Sequence, residues 1–366
     1  MIRLLIVDDS PLMRRLLGNV FAAEGDFEIA FARNGAEALE RLRDFEPDVI
    51  TLDVHMPEMD GIACLDRIML ERPCPVVMVS SLTEADASVT LEAFALGAVD
   101  FITKPERAIS LEIETLAPKL VEKVRAASRA RLPGSLRLAE RVRLRSGLQN
   151  SGTVRAPQRR APAPPKRRAV KAGSTHGLVL VGTSTGGPPA LDALLSRLPA
   201  DFPWPVVVAQ HMPGSFTGPL ARRLDKLCAL SVTEVTSPMP LAAGTVYIGK
   251  GDADVIIGRR SAGPVVMAAP SLPEYRWHPS VDRLVESAMG HFPPEKLIGV
   301  LMTGMGTDGA EAMSRLRGQG GRTIAESEET AVVWGMPGDL VRRGGAEVVA
   351  RLEQIADRVM DMAERP

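Results

Sequence analysis

The chain alternates short apolar runs with amphipathic stretches, and it does so in two separate blocks. In residues 1–105 the apolar runs are Ile2–Val7, Phe27–Phe31, Val49–Leu52, Val76–Val79 and Val99–Ile102. Short apolar runs bounded by polar or glycine-containing segments read as buried strands. Between them lie stretches with helical spacing: Pro11–Ala23 opens on a proline, and Ala36–Arg43 follows Asn34-Gly35. This alternation predicts five β-α units and a doubly wound parallel sheet. A closing helix is expected from about Leu111 to Arg129.

The pattern stops between Arg131 and Thr175. Pro133-Gly134, Gln149-Asn150-Ser151-Gly152 and the proline-rich stretch Ala161–Pro165 have the composition of a linker. From Gly177 a second α/β pattern begins. Its expected strands are Leu178–Val181, Pro205–Ala209, Val246–Ile248, Val255–Ile257 and Leu297–Met302. Its expected helices are Ala190–Leu198, Phe216–Leu227, Ser280–Ala288, Ala310–Leu316 and Ala346–Met362. No internal repeat stands out.

Composition adds three points. At 366 residues the chain exceeds the usual size of a single core, in keeping with two blocks. A net charge of −1 hides a basic segment from Lys123 to Lys171 whose one acid is Glu140. That segment has no aromatic residues and no repeated module, so nucleic-acid binding is not expected; a solvated linker able to touch acidic partners fits better. Cys64, Cys74 and Cys228 lack metal-ligand spacing. With no signal peptide and no apolar run near the roughly 20 residues that span a bilayer, a reduced cytoplasmic setting without membrane insertion is expected.

In the first block the chemistry lies at strand ends. Asp8 and Asp9 close the first strand, Asp53 the third, and Lys104 the fifth. The carboxyl ends of parallel strands line one crevice. Crowded carboxylates repel one another unless a cation sits among them, and oxygen ligands with room for water suit Mg²⁺. A carboxylate so neutralised can attack a phosphoryl donor and become an acyl phosphate, with Lys104 pairing the phosphoryl oxygens. Val7-Asp8-Asp9-Ser10, Asp53-Val-His-Met-Pro57, Met59-Asp60-Gly61 and Thr103-Lys104-Pro105 together resemble the receiver domain of two-component response regulators. The resemblance implies phosphorylation at Asp53 and metal binding by Asp8, Asp9, Asp53 and the backbone carbonyl of His55. It also makes Ser80 the switch hydroxyl (Ser81 is adjacent), Phe101 the switch aromatic, and Lys104 a further switch residue.

In the second block, Gly182-Thr183-Ser184-Thr185-Gly186-Gly187 joins a strand to a helix. A serine in such a turn sits above the sheet edge, beside backbone N–H groups that can face an oxyanion. The serine needs a base. His211 directly follows the strand ending at Gln210, on the same rim, whereas His176, His278 and His291 lie in a leader, a loop and a helix end. Asp308 follows the apolar strand Leu297–Met302 in a glycine-rich turn and can orient His211, or simply cap the next helix. Asp252, Asp254 and Asp282 are competitors. The chain order Ser, His, Asp differs from that of the α/β-hydrolases, so the G-x-S-x-G match does not imply that fold. The glycines do not fit G-x-G-x-x-G either, which disfavours a dinucleotide oxidoreductase.

Five motifs resemble the catalytic domain of the chemotaxis protein-glutamate methylesterases. They are Gly182–Gly187, Gln210–Pro213, Pro279–Asp282, Leu301–Gly306 with Asp308-Gly309-Ala310, and Ala331–Pro337. The resemblance makes Ser184 the nucleophile, His211 the general base, Asp308 its orienting acid, and the N–H groups of Thr185 and Met305 the oxyanion donors. Thr183 stands where alanine is usual, and Trp277-His278 where Tyr-Arg is usual.

The implied fold class is α/β: two doubly wound parallel-sheet domains, a flavodoxin-like receiver (1–126) and a Rossmann-like methylesterase domain (176–366), joined by a basic linker (127–175). The implied activity is hydrolysis of glutamate γ-methyl esters on chemoreceptors with release of methanol, and deamidation of receptor glutamines. The unphosphorylated receiver would block the site and phosphorylation would relieve it. A chemotaxis histidine kinase would be the phosphodonor and a methyl-accepting chemoreceptor the substrate. Mg²⁺ would serve the receiver, and the esterase would need no cofactor. The alternative is a phosphorylation-controlled scaffold with a vestigial hydrolase site.

Overall fold

The computed structural model describes residues 1–104, 109–132, 176–261 and 263–364, in two units that each carry their own parallel sheet. The first is built on β1 (Ile2–Val7), β2 (Phe27–Ala32), β3 (Val49–Asp53), β4 (Val76–Ser80) and β5 (Asp100–Thr103). They form a sheet in the order β2-β1-β3-β4-β5, with β1 parallel to both β2 and β3 and β3 parallel to β4. Strands β3 and β4 are buried at every position, whereas edge strand β2 is exposed at Glu28 and Phe31 and half-buried between them. That is why the inner strands read as unbroken apolar runs: helices cover both of their faces. The helices are α1 (Pro11–Ala22), α2 (Gly35–Asp44), α3 (Gly61–Glu71), α4 (Glu84–Leu96) and α5 (Ile109–Ala127). Each of the first three is started by a side chain that accepts from a backbone N–H: Ser10 from Met13, Asn34 from Glu37, and Asp60 from Ala63.

The second unit holds a seven-stranded sheet. Its strands are β6 (Leu178–Thr183), β7 (Val206–Gln210), β8 (Ser231–Val235), β10 (Thr245–Gly249), β13 (Leu297–Leu301), β14 (Arg322–Glu326) and β15 (Val348–Ala350). All neighbours are parallel, in the order β15-β14-β13-β6-β7-β10-β8. Its helices are α6 (Gly187–Leu195), α7 (Gly214–Leu227), α8 (Val281–Met289), α9 (Ala310–Gly318), α10 (Met336–Arg342) and α11 (Leu352–Glu364). Leu180, Val207, Tyr247, Leu284, Leu301, Met313 and Met336 belong to one buried core beneath the sheet's rim.

One expected helix start needs correction, and Val255–Ile257, a strand as expected, lies outside the parallel sheet. It lies in β11 (Asp254–Arg260), which pairs antiparallel with β12 (Gly263–Ala269), and β12 pairs antiparallel with β9 (Met239–Pro240). The stretch expected as one helix from Ala346 begins instead as strand β15, where Val348 pairs with Ile324 and Ala350 accepts from Ser327 N–H at 2.7 Å. Two β-branched residues beside an open sheet edge gain more from the ladder than from a first helical turn. Among the described residues no helix is long and apolar enough to cross a membrane. Residues 133–175, most of the expected linker, and Pro105 lie outside the described residues.

Candidate active site and phosphoacceptor site

Each unit places its chemistry where the direction of strand addition reverses. In the first, β1 and β3 are neighbours whose chains continue to opposite sides. Asp8 and Asp9 leave β1 and Asp53 ends β3; one carboxylate oxygen of each lies within 4.8 Å of the others. Asp8 and Asp53 are buried and Asp9 is exposed. Asp8 is oriented by Ser10 N–H at 2.9 Å, and Asp53 accepts from His55 N–H at 3.3 Å. Three oxygen donors, one facing solvent, fit a divalent cation that keeps part of its water shell. Lys104 follows β5, and its backbone N–H donates to Ser80 O at 2.8 Å. The Ser80 hydroxyl is buried and accepts from Thr90 Oγ1 at 3.0 Å. Phe101 is buried under the Lys123 ammonium, 4.9 Å from its ring centre.

In the second unit the reversal falls at β6, flanked by β7 and β13. Ser184 follows β6, His211 follows β7, and Asp308 stands in the turn after β13. The ladders align these ends: Thr183 pairs with Gln210, Gly182 with Leu301, and Ser184 N–H donates to Thr303 O at 3.0 Å. His211 Nε2 lies 2.7 Å from Asp308 Oδ2. A carboxylate is an acceptor, so Nε2 carries the proton and Nδ1 the lone pair. Nδ1 is buried and has no hydrogen-bond partner among the described residues. Gly186, with φ of 76°, lets the chain turn sharply after Ser184 into α6. Gly304 packs so close that a side chain there would come within 2.8 Å of Ser184 Cβ, so the turn carrying Met305 adjoins the serine.

Asp308 does not cap α9, whose first turn follows Gly309 without a side-chain cap. It faces the start of α8 instead. It accepts from Val281 N–H at 2.7 Å, Asp282 N–H at 3.1 Å and Ser280 Oγ at 3.0 Å. Burial opposes its ionisation, but the bonds from His211 and from these backbone N–H groups outweigh it and hold the carboxyl below 3.8.

Sequence comparison decides what this architecture belongs to. Residues 179–359 match the family model for CheB methylesterase, and residues 4–114 that for the response regulator receiver domain. A Rhodopseudomonas palustris protein named protein-glutamate methylesterase/protein-glutamine glutaminase 2 is 57% identical, covering 99% of this chain and 98% of its own. A Rhodospirillum rubrum protein named protein-glutamate methylesterase/protein-glutamine glutaminase 3 is 55% identical, covering 98% and 95%. The chain belongs to the CheB methylesterase family. A family member from Carboxydothermus hydrogenoformans is 42% identical over 99% of both chains, so the likeness runs through receiver and methylesterase domain alike.

The methylesterase domain also places the remaining candidates. His176 and His291 are exposed, Asp252 accepts from Gly214 N–H at 2.7 Å, and Asp282 accepts from Ala312 N–H at 2.9 Å. None of these reaches Ser184 or His211 by a hydrogen bond among the described residues. Asp254 is fully buried and binds His278 Nδ1 at 2.9 Å, Ser280 N–H at 2.8 Å and Arg283. The unusual Thr183 has a partner too. Its hydroxyl donates to Gln210 Oε1 at 2.6 Å, and the Gln210 amide donates to the carbonyls of Ser184 and His211, both at 3.1 Å. One side-chain amide therefore ties the segments carrying serine and histidine. In the sequence Gln210 was marked by its place directly before His211 and by the Gln210–Pro213 motif, but neither indicated this bridging role.

A buried acid behind the serine was not legible at all. Glu326 ends β14 fully buried, accepting from Thr303 N–H at 2.8 Å and Thr330 Oγ1 at 3.0 Å. Burial pushes its carboxyl up to about 7. An acid whose folded pKa is raised binds its proton more tightly in the fold, so stability falls as pH rises from about 4 through about 7, by up to roughly 3 kcal/mol. In Glu326→Gln the carbonyl can still accept from Thr303 and the amide can donate to Thr330. Unfolding midpoints of that variant should flatten over this window; a slope equal to wild type would refute the assignment.

Proposed function

We infer that this chain is a phosphorylation-activated esterase that hydrolyses glutamate γ-methyl esters on chemoreceptors, releases methanol, and deamidates specific receptor glutamines. The carrying observation is the 2.7 Å bond between His211 Nε2 and Asp308, which leaves Nδ1 as the base beside the turn that holds Ser184. In the proposed cycle Nδ1 takes the Ser184 proton as Oγ bonds to the ester carbonyl carbon. The backbone N–H groups of Thr185 and Met305 face the developing oxyanion. The proton then passes to the methoxy oxygen, methanol leaves, and water hydrolyses the acyl-serine by the reverse transfers. The same acyl chemistry on a glutamine amide releases ammonia. No metal is assigned to these steps.

The receiver is assigned residues 1–126, the linker 127–175 and the catalytic domain 176–366. Asp8, Asp9, Asp53 and the His55 carbonyl are the proposed ligands of Mg²⁺, which supplies charge neutralisation at the phosphoacceptor. Asp53 is the proposed phosphoacceptor, Lys104 the partner of its phosphoryl oxygens, and Ser80 with Phe101 the switch pair. A chemotaxis histidine kinase is the proposed phosphodonor and a methyl-accepting chemoreceptor the substrate, acting in the cytoplasm.

Methanol release from methylated chemoreceptors, with and without a small phosphodonor, tests this reading. Asp53→Ala should keep basal release and lose the stimulation; equal stimulation in both proteins would refute the receiver assignment. For the scaffold alternative, a fluorophosphonate that labels Ser184→Ala as fast as wild type would favour a vestigial site.

A further inference from the structure

Next to the candidate triad stands an aromatic side chain that the proposed cycle leaves unused. The Trp277 indole lies nearly parallel to the His211 imidazole, at 10° and 5.3 Å between ring centres, an offset stack. Its Nε1 edge lies over the glycine turn after β13, where a side chain on Gly306 would come within 3.4 Å of it. Trp277 thus spans from the base to the turn that carries the proposed oxyanion donor Met305.

The loop holding it is fixed on both sides. Tyr275 Oη donates to Glu286 at 2.8 Å, and His278 Nδ1 is bound 2.9 Å from the fully buried Asp254, which also accepts from Ser280 N–H. A ring held this firmly constrains the plane of the imidazole stacked on it. Asp308 alone cannot do so, because one hydrogen bond at Nε2 leaves rotation about the N–H···O axis open.

We propose that Trp277 is a positioning residue for the general base: it holds the His211 ring so that Nδ1 faces Ser184, and its π face stabilises the imidazolium formed when that proton transfers. This rests on the reading of Ser184, His211 and Asp308 as the triad. Trp277 is half-buried, with the Arg276 guanidinium 5.2 Å from its ring centre, and a cation over such an indole is stabilised enough to change a rate by about 3- to 30-fold. The gain exists only while the imidazole is charged, so it belongs to kcat and not to substrate binding.

The test uses the full chain activated by a small phosphodonor, with methylated chemoreceptors as substrate and fluorophosphonate labelling as a receptor-free readout of Ser184 reactivity. Trp277→Leu should lower kcat by about 3- to 30-fold with KM within twofold, and Trp277→Phe should fall between it and wild type. In a His211→Gln background, Trp277→Leu should cause no further loss of labelling. Wild-type kcat in Trp277→Leu, or a raised KM with unchanged kcat, would overturn the proposal. So would an equal loss in the His211→Gln background, which would mark a purely structural role. If the leucine variant does not fold, the phenylalanine variant decides: wild-type kcat there would overturn the proposal. Full labelling in His211→Gln alone would instead sink the triad, and this inference with it.

Discussion

Ser184→Ala should lower methanol release from methylated chemoreceptors by roughly 10⁴-fold or more in kcat, while phosphorylation at Asp53, the proposed phosphoacceptor, should persist. The two outcomes separate because the residues belong to different sheets, one at the end of β6 and one at the end of β3. The loss is expected to be near-complete because two other hydroxyls near this rim are engaged elsewhere. Thr183 and Thr303 are fully buried and committed, Thr183 to Gln210 and Thr303 to Thr185 O at 2.8 Å. The alanine variant should keep the wild-type unfolding midpoint, since Ser184 Oγ makes no hydrogen bond among the described residues. Activity near wild type would end the assignment of Ser184, and loss of phosphorylation together with esterase activity would point to misfolding.

Asp308→Asn should damage both activity and stability. Its two carboxylate oxygens accept from four donors: Oδ2 from His211 and Val281, Oδ1 from Ser280 and Asp282. An asparagine amide must turn its NH₂ toward one of these pairs, leaving buried donors opposed. The imidazole then loses the acceptor that fixes its tautomer, with an expected fall of about 10⁴-fold in kcat. Each buried donor left without an acceptor costs about 1–3 kcal/mol, readable by denaturant titration. The pH dependence has a definite sign. A depressed carboxyl contributes stability above its unfolded value of about 3.9, and that contribution fades as pH falls through the lower folded value. The asparagine variant should therefore lose less stability than wild type on acidification below pH about 4. The change should also reach Asp282, whose carboxyl is pushed up to about 6 by burial and by the Asp308 charge. Without that charge Asp282 should titrate lower. Retention of a tenth or more of wild-type kcat in Asp308→Asn would refute the role of Asp308.

The two predictions differ in how far the sequence led to them. Ser184 was visible because a strand, a glycine turn and a helix leave a recognisable string, and His211 because it directly follows an apolar strand. By local pattern Asp308 was a choice between orienting a histidine and capping a helix, and only the motif resemblance favoured the first. Local pattern cannot decide this, since the nearest helix start in the chain is not the nearest in space. The structure brings the start of α8, some 27 residues upstream, against the carboxylate. Trp277 was marked as unusual, yet nothing in its neighbours indicated a stack on a residue 66 positions away (277 − 211).

Local pattern determined the alternation of strands and helices in both domains, the capped helix starts of the receiver, and the polar residues that close each strand. Such features depend on side-chain period and on residues within one turn of each other, which one stretch of chain contains. Strand order, the separate antiparallel sheet, the strand that opens the expected last helix, and the buried Glu326 came only with the tertiary structure. Each depends on which segment lies alongside another and on how much water their packing removes, and neither quantity is local. The rim where β13, β6 and β7 end together is the clearest case. Its residues come from separate parts of the chain, and only the order of strands makes them neighbours.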